Sequence, residues 1–390
     1  MKKTIVIGLL ALFVLLPLMV QAQIRLQHGP YLQNLKQDEV TLVWVASKPS
    51  IGWVELAPDD GSHFYAVERR KYFDTRSGVK RTDSVHSVRL TGLKPGTRYR
   101  YRVFSQEVLS HNAYKIVYGD VAATVVYKKE PPSFITPDPN KKDISFAVVN
   151  DIHARNEVLE KLISLCDKKK TDLFVFNGDM VSISNSQKEL FDGFMDKAVT
   201  LFASEKPMYY TRGNHETRGR FATSFQNYFS PKEPHLYYTF RQGPVFFVML
   251  DTGEDKPDSD IEYAGITDYD AYRTEQAEWL KKVINSSEYK DAPFKVIIGH
   301  IPPFRGWHGD TEVATKFIPI LNSDKPDLML CGHLHQSVYC EPDQKRLFPL
   351  IVNSNNSVLT VNADSDKMEV IVTNVDGKAF GKWIFKRMHP

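Results

Sequence analysis

The chain has 390 residues, 42% of them apolar and 25% charged, with 50 Lys and Arg against 47 Asp and Glu. That balance is ordinary for a soluble globular protein, and the length favours two domains over one. The formal charge of +3 includes Lys2 and Lys3, so it gives no reason to expect general attraction to nucleic acid or an anionic membrane.

Met1–Ala22 has a basic start at Lys2 and Lys3, an apolar stretch from Ile5 to Val20 and a Val20-Gln21-Ala22 ending. This is the pattern of a secretory signal peptide cleaved after Ala22. The apolar stretch is nearly long enough to span a bilayer, but Pro17 and the small-residue ending favour cleavage. No cysteine lies near that point to carry a lipid, and no later segment is long and apolar enough to span. The expectation is a secreted or periplasmic protein without a membrane anchor after cleavage.

Residues 24–127 read as all-β. The alternating run Val40–Val45 is followed by Trp53–Leu56, Val85–Leu90 and Tyr99–Phe104, with turn residues between and no helical run. Alternation and turn spacing point to a β-sandwich of immunoglobulin or fibronectin type III kind. Leu93–Val103 (LKPGTRYRYRV) resembles the tyrosine corner of fibronectin type III domains, which makes Tyr99 a structural residue. No aromatic platform for a ligand is evident here, so the sandwich is expected to pack beside the next domain. Residues 128–142 hold four prolines and several charges (KKEPPSFITPDPNKK) and read as a stiff, irregular linker.

From residue 143 to 390 strands alternate with helices. Glu157–Lys168, Glu189–Phe202 and Thr274–Ile284 have helical spacing, and Pro349–Phe385 returns to short strands. The fold class expected is an all-β sandwich followed by an α/β sandwich, two β-sheets flanked by helices. Asp251–Arg273, with Tyr263, Tyr269 and Tyr272, reads as a polar insertion, either a lid or a passive loop. Of the three cysteines, Cys331 and Cys340 are close enough in sequence to pair across adjacent strands; free buried thiols are the equal alternative.

Five short apolar runs in this region, Ile144–Val149, Leu173–Phe176, Met208–Tyr210, Phe294–Ile298 and Leu328–Leu330, each end in a polar motif. The motifs are Asp151-Ile152-His153, Gly178-Asp179, Gly213-Asn214-His215-Glu216, Gly299-His300 and Gly332-His333-Leu334-His335. Taken singly each is weak. Buried strands of an α/β sheet, however, deliver the residues past their C-terminal ends to one crevice. Carboxylate oxygens with neutral imidazoles suit Mn, Zn or Fe, and no convergent cysteine set argues for a thiolate site. Asp179 is suited to lie between two ions with one oxygen on each. Two such ions activate water and offset charge on a phosphoryl group.

The series DxH, GD, GNH(D/E), GH and GHxH resembles that of the calcineurin-like metallophosphoesterases, and with the front β-domain it looks like their purple acid phosphatase branch. The resemblance implies that Asp151, His153 and His335 bind one ion and Asn214, His300 and His333 the other, with Asp179 bridging. It also implies that His215 sits beside the pair as phosphate contact or proton donor. Two departures stand out. The purple enzymes carry Tyr three residues after the bridging Asp, where this chain has Ser182, and commonly Gly where it has His153. Neutral ligands at both places favour two divalent ions and a colourless protein.

Arg155, Arg212 and His308 are further candidates for substrate contact, because they lie close to the motifs and a guanidinium fork matches phosphate oxygens. Arg218 has the same neighbourhood. The activity expected is hydrolysis of small phosphomonoesters, without nucleic-acid partners beyond nucleotide substrates. A phosphodiesterase on nucleotides or lipid head groups is the second reading, and an inactive extracellular binding module the third. Substrate identity and oligomeric state are not legible.

Overall fold

The computed structural model describes residues 22–127, 129–229 and 235–387; the leader expectation on Met1–Ala22 lies outside them except for Ala22. None of the described helices is long and apolar enough to cross a membrane.

The front domain is a hydrogen-bonded system of seven strands. The runs Val40–Val45 and Trp53–Leu56 belong to one 20-residue strand, Glu39–Pro58. Its first half pairs with Leu26–Gln33 and Thr82–Thr91, its second with Arg98–Asn112, and the register shifts between Val45 and Ser50. Pro49 falls in that shift, where a missing N–H is harmless, so one strand can turn the corner between two layers. The tyrosine corner is present: the Lys94 N–H donates to the Tyr99 hydroxyl at 2.9 Å.

The linker reading needs correction. Ser133–Ile135 is a strand, paired antiparallel with Arg98–Arg100, and Phe134 is buried in the sandwich core. Pro131, Pro132, Pro137 and Pro139 limit it to three residues without preventing it.

In the second domain two six-stranded sheets face each other. Ile144–Val149, Leu173–Asn177 and Met208–Thr211 run parallel in one sheet. Val245–Leu250, Phe294–Gly299, Leu328–Cys331 and Leu350–Val352 run parallel in the other. Phe146, Val148, Phe247, Val296, Ile298 and Leu330 meet between the sheets. The outer face of the first sheet packs Phe174 and Phe176 on Leu162, Phe191 and Phe194. The outer face of the second packs Ile297 and Met329 on Leu280, Phe317 and Leu321. Both faces of each sheet are covered, which is why these strands read as continuous apolar runs.

The helix expected over Glu189–Phe202 is a helical run from Gln187 to Ala203 broken by two π-turns, Phe191–Met195 and Val199–Ala203. Gly193 lies in the first, where an added Cβ would stand 2.5 Å from Val181 Cγ1, so the run approaches the loop that carries Asp179. The front domain docks on this run, on its C-terminal end and on the segment around Tyr228. Tyr101 donates to Ser204 O at 2.6 Å, Tyr31 to Tyr228 O at 2.8 Å, and His28 Nδ1 lies 3.0 Å from Asp196. Tyr31, Val43, Val45 and Val85 share one core with Phe191 and Tyr228. The sandwich is therefore packed beside the α/β domain, as expected. Cys331 and Cys340 are both free thiols, which decides between the two cysteine readings.

Candidate dinuclear metal centre

The five motifs meet where the two sheets face each other. Register aligns their strand ends: Val149 pairs with Phe176, Asn177 with Thr211, and Ile298 with Leu330. Three loops come from one sheet and two from the other. Past the strand ends the backbone turns left-handed at Asp151, His153, Asp179, His333 and His335, with φ between 48° and 71°. Non-glycine residues avoid this region, and clusters of such residues mark functional loops. The loops are also close to one another: a Cβ on Gly213 would lie 2.1 Å from Asp179 Oδ1, and one on Gly178 2.5 Å from His300 Nδ1. Only glycine fits at either place.

Three groups of donor atoms result: Asp151, His153 and His335; Asp179, His300 and His333; and His153, Asp179 and His215. His335 Nε2 lies 3.2 Å from both Asp151 Oδ1 and His153 Nε2. His300 Nε2 lies 3.1 Å from Asp179 Oδ2 and 3.8 Å from Asp151 Oδ1. Asn214 turns one end of its amide to His333 Nδ1 at 3.1 Å and Asp179 Oδ2 at 3.3 Å, and the other to Arg218 Nη2 at 2.9 Å. Oxygen inward makes it a cation ligand; nitrogen inward makes it a donor to the same two atoms.

The donor set fits cations. Asp151 Oδ2 is occupied by the Asn150 amide at 2.6 Å and the His333 N–H at 2.9 Å, whereas Asp151 Oδ1 and His300 Nε2 are buried without an aligned hydrogen bond. Buried polar atoms left this way are costly unless something else meets them. Backbone carbonyls set the tautomers: His300 Nδ1 bonds Asn177 O at 2.7 Å and His215 Nδ1 bonds Ser182 O at 2.9 Å, so Nε2 of each faces the site. Burial alone lowers the His300 imidazole, but the carboxylates of Asp179 and Asp151 outweigh it and push its pKa up to about 10. Burial and the neighbouring His300 take His333 down to about 4, and burial lowers His153. Two buried carboxylates among imidazoles set up a potential that calls for positive charge.

The two oxygens of Asp179 have different surroundings. Its Oδ1 accepts the His215 N–H at 2.9 Å, while Oδ2 faces His300 at 3.1 Å and both His153 and His215 at 3.9 Å. Only Oδ2 is thus turned toward imidazoles of both donor groups.

The three substrate-contact candidates are committed elsewhere. Arg155 donates to Ile152 O, Asp151 O, Asn355 O and Asn356 Oδ1, tying the first motif loop to residues 355–356. Arg212 is buried with Nε and Nη2 both on Asp251 Oδ2. His308 starts a helix and pairs with Asp270 at 2.7 Å. Each read as a phosphate contact because sequence proximity to a motif says nothing about direction. The insertion Asp251–Arg273 is a brace, not a lid: Glu254 accepts from Thr217, Arg218 and Tyr263, Tyr272 donates to Asp251, and Arg273 is fully buried against Thr252 O.

Two contributors escaped the sequence reading. Ser182 Oγ lies 3.2 Å from His153 Nδ1, so this residue positions two histidines, one through its side chain and one through its carbonyl. Glu216, fully buried, accepts the backbone N–H of Asp179, Met180, Val181 and Gly213 at 2.6–3.2 Å. Its place in the Gly-Asn-His-Glu motif was the available signal.

Fold and site define a β-sandwich joined to a two-sheet α/β domain with a two-cation donor set at its strand ends. Residues 144–337 match the calcineurin-like phosphoesterase model and residues 26–116 the N-terminal domain of purple acid phosphatases. The chain carries a calcineurin-like phosphoesterase domain behind a purple acid phosphatase N-terminal domain. It is similar to purple acid phosphatase 21 of Arabidopsis thaliana, 27% identical over 281 residues, covering 68% of this chain and 54% of the relative. Purple acid phosphatase 15 of the same plant is 24% identical over 289 residues, covering 64% and 48%. The chain thus spans about half the length of these curated relatives. In fold it is similar to the purple acid phosphatase PPD1 from yellow lupin seeds, at TM-score 0.64 and 15% identity, covering 92% of this chain and 74% of that one.

Proposed function

We propose that this chain is a metal-dependent phosphoric ester hydrolase that acts on small phosphomonoesters. Its main support is the convergence of Asp151, His153, Asp179, Asn214, His300, His333 and His335 from five loops, with buried lone pairs left over for cations. Asp151, His153 and His335 would hold one divalent ion and Asn214, His300 and His333 the other, with Asp179 between the two groups. When bound, such a pair lowers the pKa of water and offsets charge on the phosphoryl oxygens. His215, fixed through Nδ1, keeps Nε2 free to contact phosphate or hand a proton to the leaving oxygen. Mn, Zn and Fe(II) all suit these ligands.

Double substitution of Asn214→Ala and His335→Ala should abolish hydrolysis of p-nitrophenyl phosphate while circular dichroism stays native. Full activity in that variant rejects the site. Running bis(p-nitrophenyl) phosphate in parallel separates a monoesterase from a diesterase, which would use the same residues. A protein that binds neither added Mn nor added Zn would instead be a binding module. Ser182, at the position of the purple enzymes' tyrosine, offers no phenolate, so the iron-loaded protein should be colourless; a visible tyrosinate band refutes that.

The remaining assignments follow the sequence, apart from the strand Ser133–Ile135, which joins the sandwich: a leader over residues 1–22, a fibronectin type III-like sandwich over 24–127 and the hydrolase domain over 143–390. Secretion or a periplasmic location rests on the leader pattern.

A further inference from the structure

Beside the candidate metal centre stands an apolar ring that the chemistry of phosphate does not require. Trp307 is 56% exposed, and its ring lies edge-on to His333 with centroids 5.8 Å apart. A tryptophan kept for stability buries its ring; exposing that much indole beside a polar cleft forgoes part of a large hydrophobic gain. The exposure is not a loose end. On one side Phe304 packs against the outer core of the second sheet. On the other, the Gly309 N–H is bonded to Asp255 O at 2.8 Å, where an added Cβ would lie 2.6 Å from Glu254 O. Between these anchors Arg305 and Gly306 are both left-handed, at φ 97° and 90°, and reverse the chain just ahead of Trp307. A non-glycine residue in that conformation stores strain of the kind found at ligand clamps. Ile183 is also exposed; it follows Ser182, which touches His153 and His215.

We infer that Trp307 is the specificity-determining contact of this site and that the preferred substrates carry a planar aromatic group next to the phosphate, as aryl phosphates do. This deepens the hydrolase reading above and rests on it. The phosphate end would be met by the cation site, and the exposed indole, edge-on to His333, offers a rigid apolar face beside it. Stacking of this kind is worth roughly a factor of ten in affinity. An aliphatic ester group gains little from it.

The test uses the Mn-loaded full chain, its Trp307→Ala and Trp307→Phe variants, and two esters, 1-naphthyl phosphate and glycerol 2-phosphate. Trp307→Ala should lower the ratio of kcat/KM for the naphthyl ester over the glycerol ester by about tenfold, the change residing in KM. Trp307→Phe should restore most of it. An unchanged ratio overturns the inference. Binding is measured alongside by calorimetry with phenylphosphonate and methylphosphonate. Wild type should favour the phenyl compound and Trp307→Ala should not; equal affinities in wild type overturn the inference. Wild type that hydrolyses neither ester rejects the hydrolase reading, and the phosphonate comparison then still decides the role of Trp307.

Discussion

Asp179→Asn is expected to reduce hydrolysis on the order of 10³-fold or more and to lower bound divalent metal from two ions per chain to one or none. The substitution keeps shape and one carbonyl oxygen but removes the charge that both groups of imidazoles face. Asp179 is buried, and burial on its own raises a carboxyl pKa; the facing imidazoles, His300 above all, outweigh that and hold it well below the usual carboxylate range. An amide cannot supply that charge, and with its oxygen held by the His215 N–H its nitrogen would point a donor at His300 Nε2. Metal content by mass spectrometry and turnover of p-nitrophenyl phosphate read the two effects. A variant with two ions and near-full turnover would remove Asp179 from the bridging role.

Glu216→Gln should be the most damaging change at a residue that touches no ion. The carboxylate meets four backbone N–H groups from two motif loops. An amide leaves one oxygen to accept and sets an NH2 against the other two donors. Leaving buried donors without acceptors costs about 1–3 kcal/mol each, so the two donors should together cost roughly 2–6 kcal/mol of stability. A urea unfolding midpoint read with metal removed isolates this effect. Activity should fall as well, because Asp179 and Gly213 lose their common anchor. If the midpoint is unchanged and activity is kept, Glu216 is not the brace between these loops.

These two residues show how unevenly the site was written in the chain. Asp179 was legible because an apolar run, a glycine and an acid recur in a known order, and the strands end at Val149, Asn177 and Gly299, at the last apolar residue of each run or one residue past it. Glu216 was visible only as a motif letter, since a carboxylate that accepts backbone N–H groups looks no different in sequence from a surface acid. Arg155, Arg212 and His308 failed for the converse reason. Each sits a few residues from a ligand, yet each side chain turns to a partner brought in by another segment: Asn355, Asp251 and Asp270. The connector failed at Phe134, where proline content hid a three-residue strand that only pairing with Arg98–Arg100 reveals.

Local sequence determined the strands that carry the donors, the kinds of donor atom, and the front domain's tyrosine corner, because apolar runs, turn residues and metal-binding groups act over a few positions. The tertiary structure alone decided that three motif loops come from one sheet and two from the other, that one oxygen of Asp179 faces both groups of histidines, and that Trp307 stands exposed at the rim. Those outcomes depend on distance and direction between residues far apart in the chain. Packing fixes such quantities only once both sheets and their covering helices are in place.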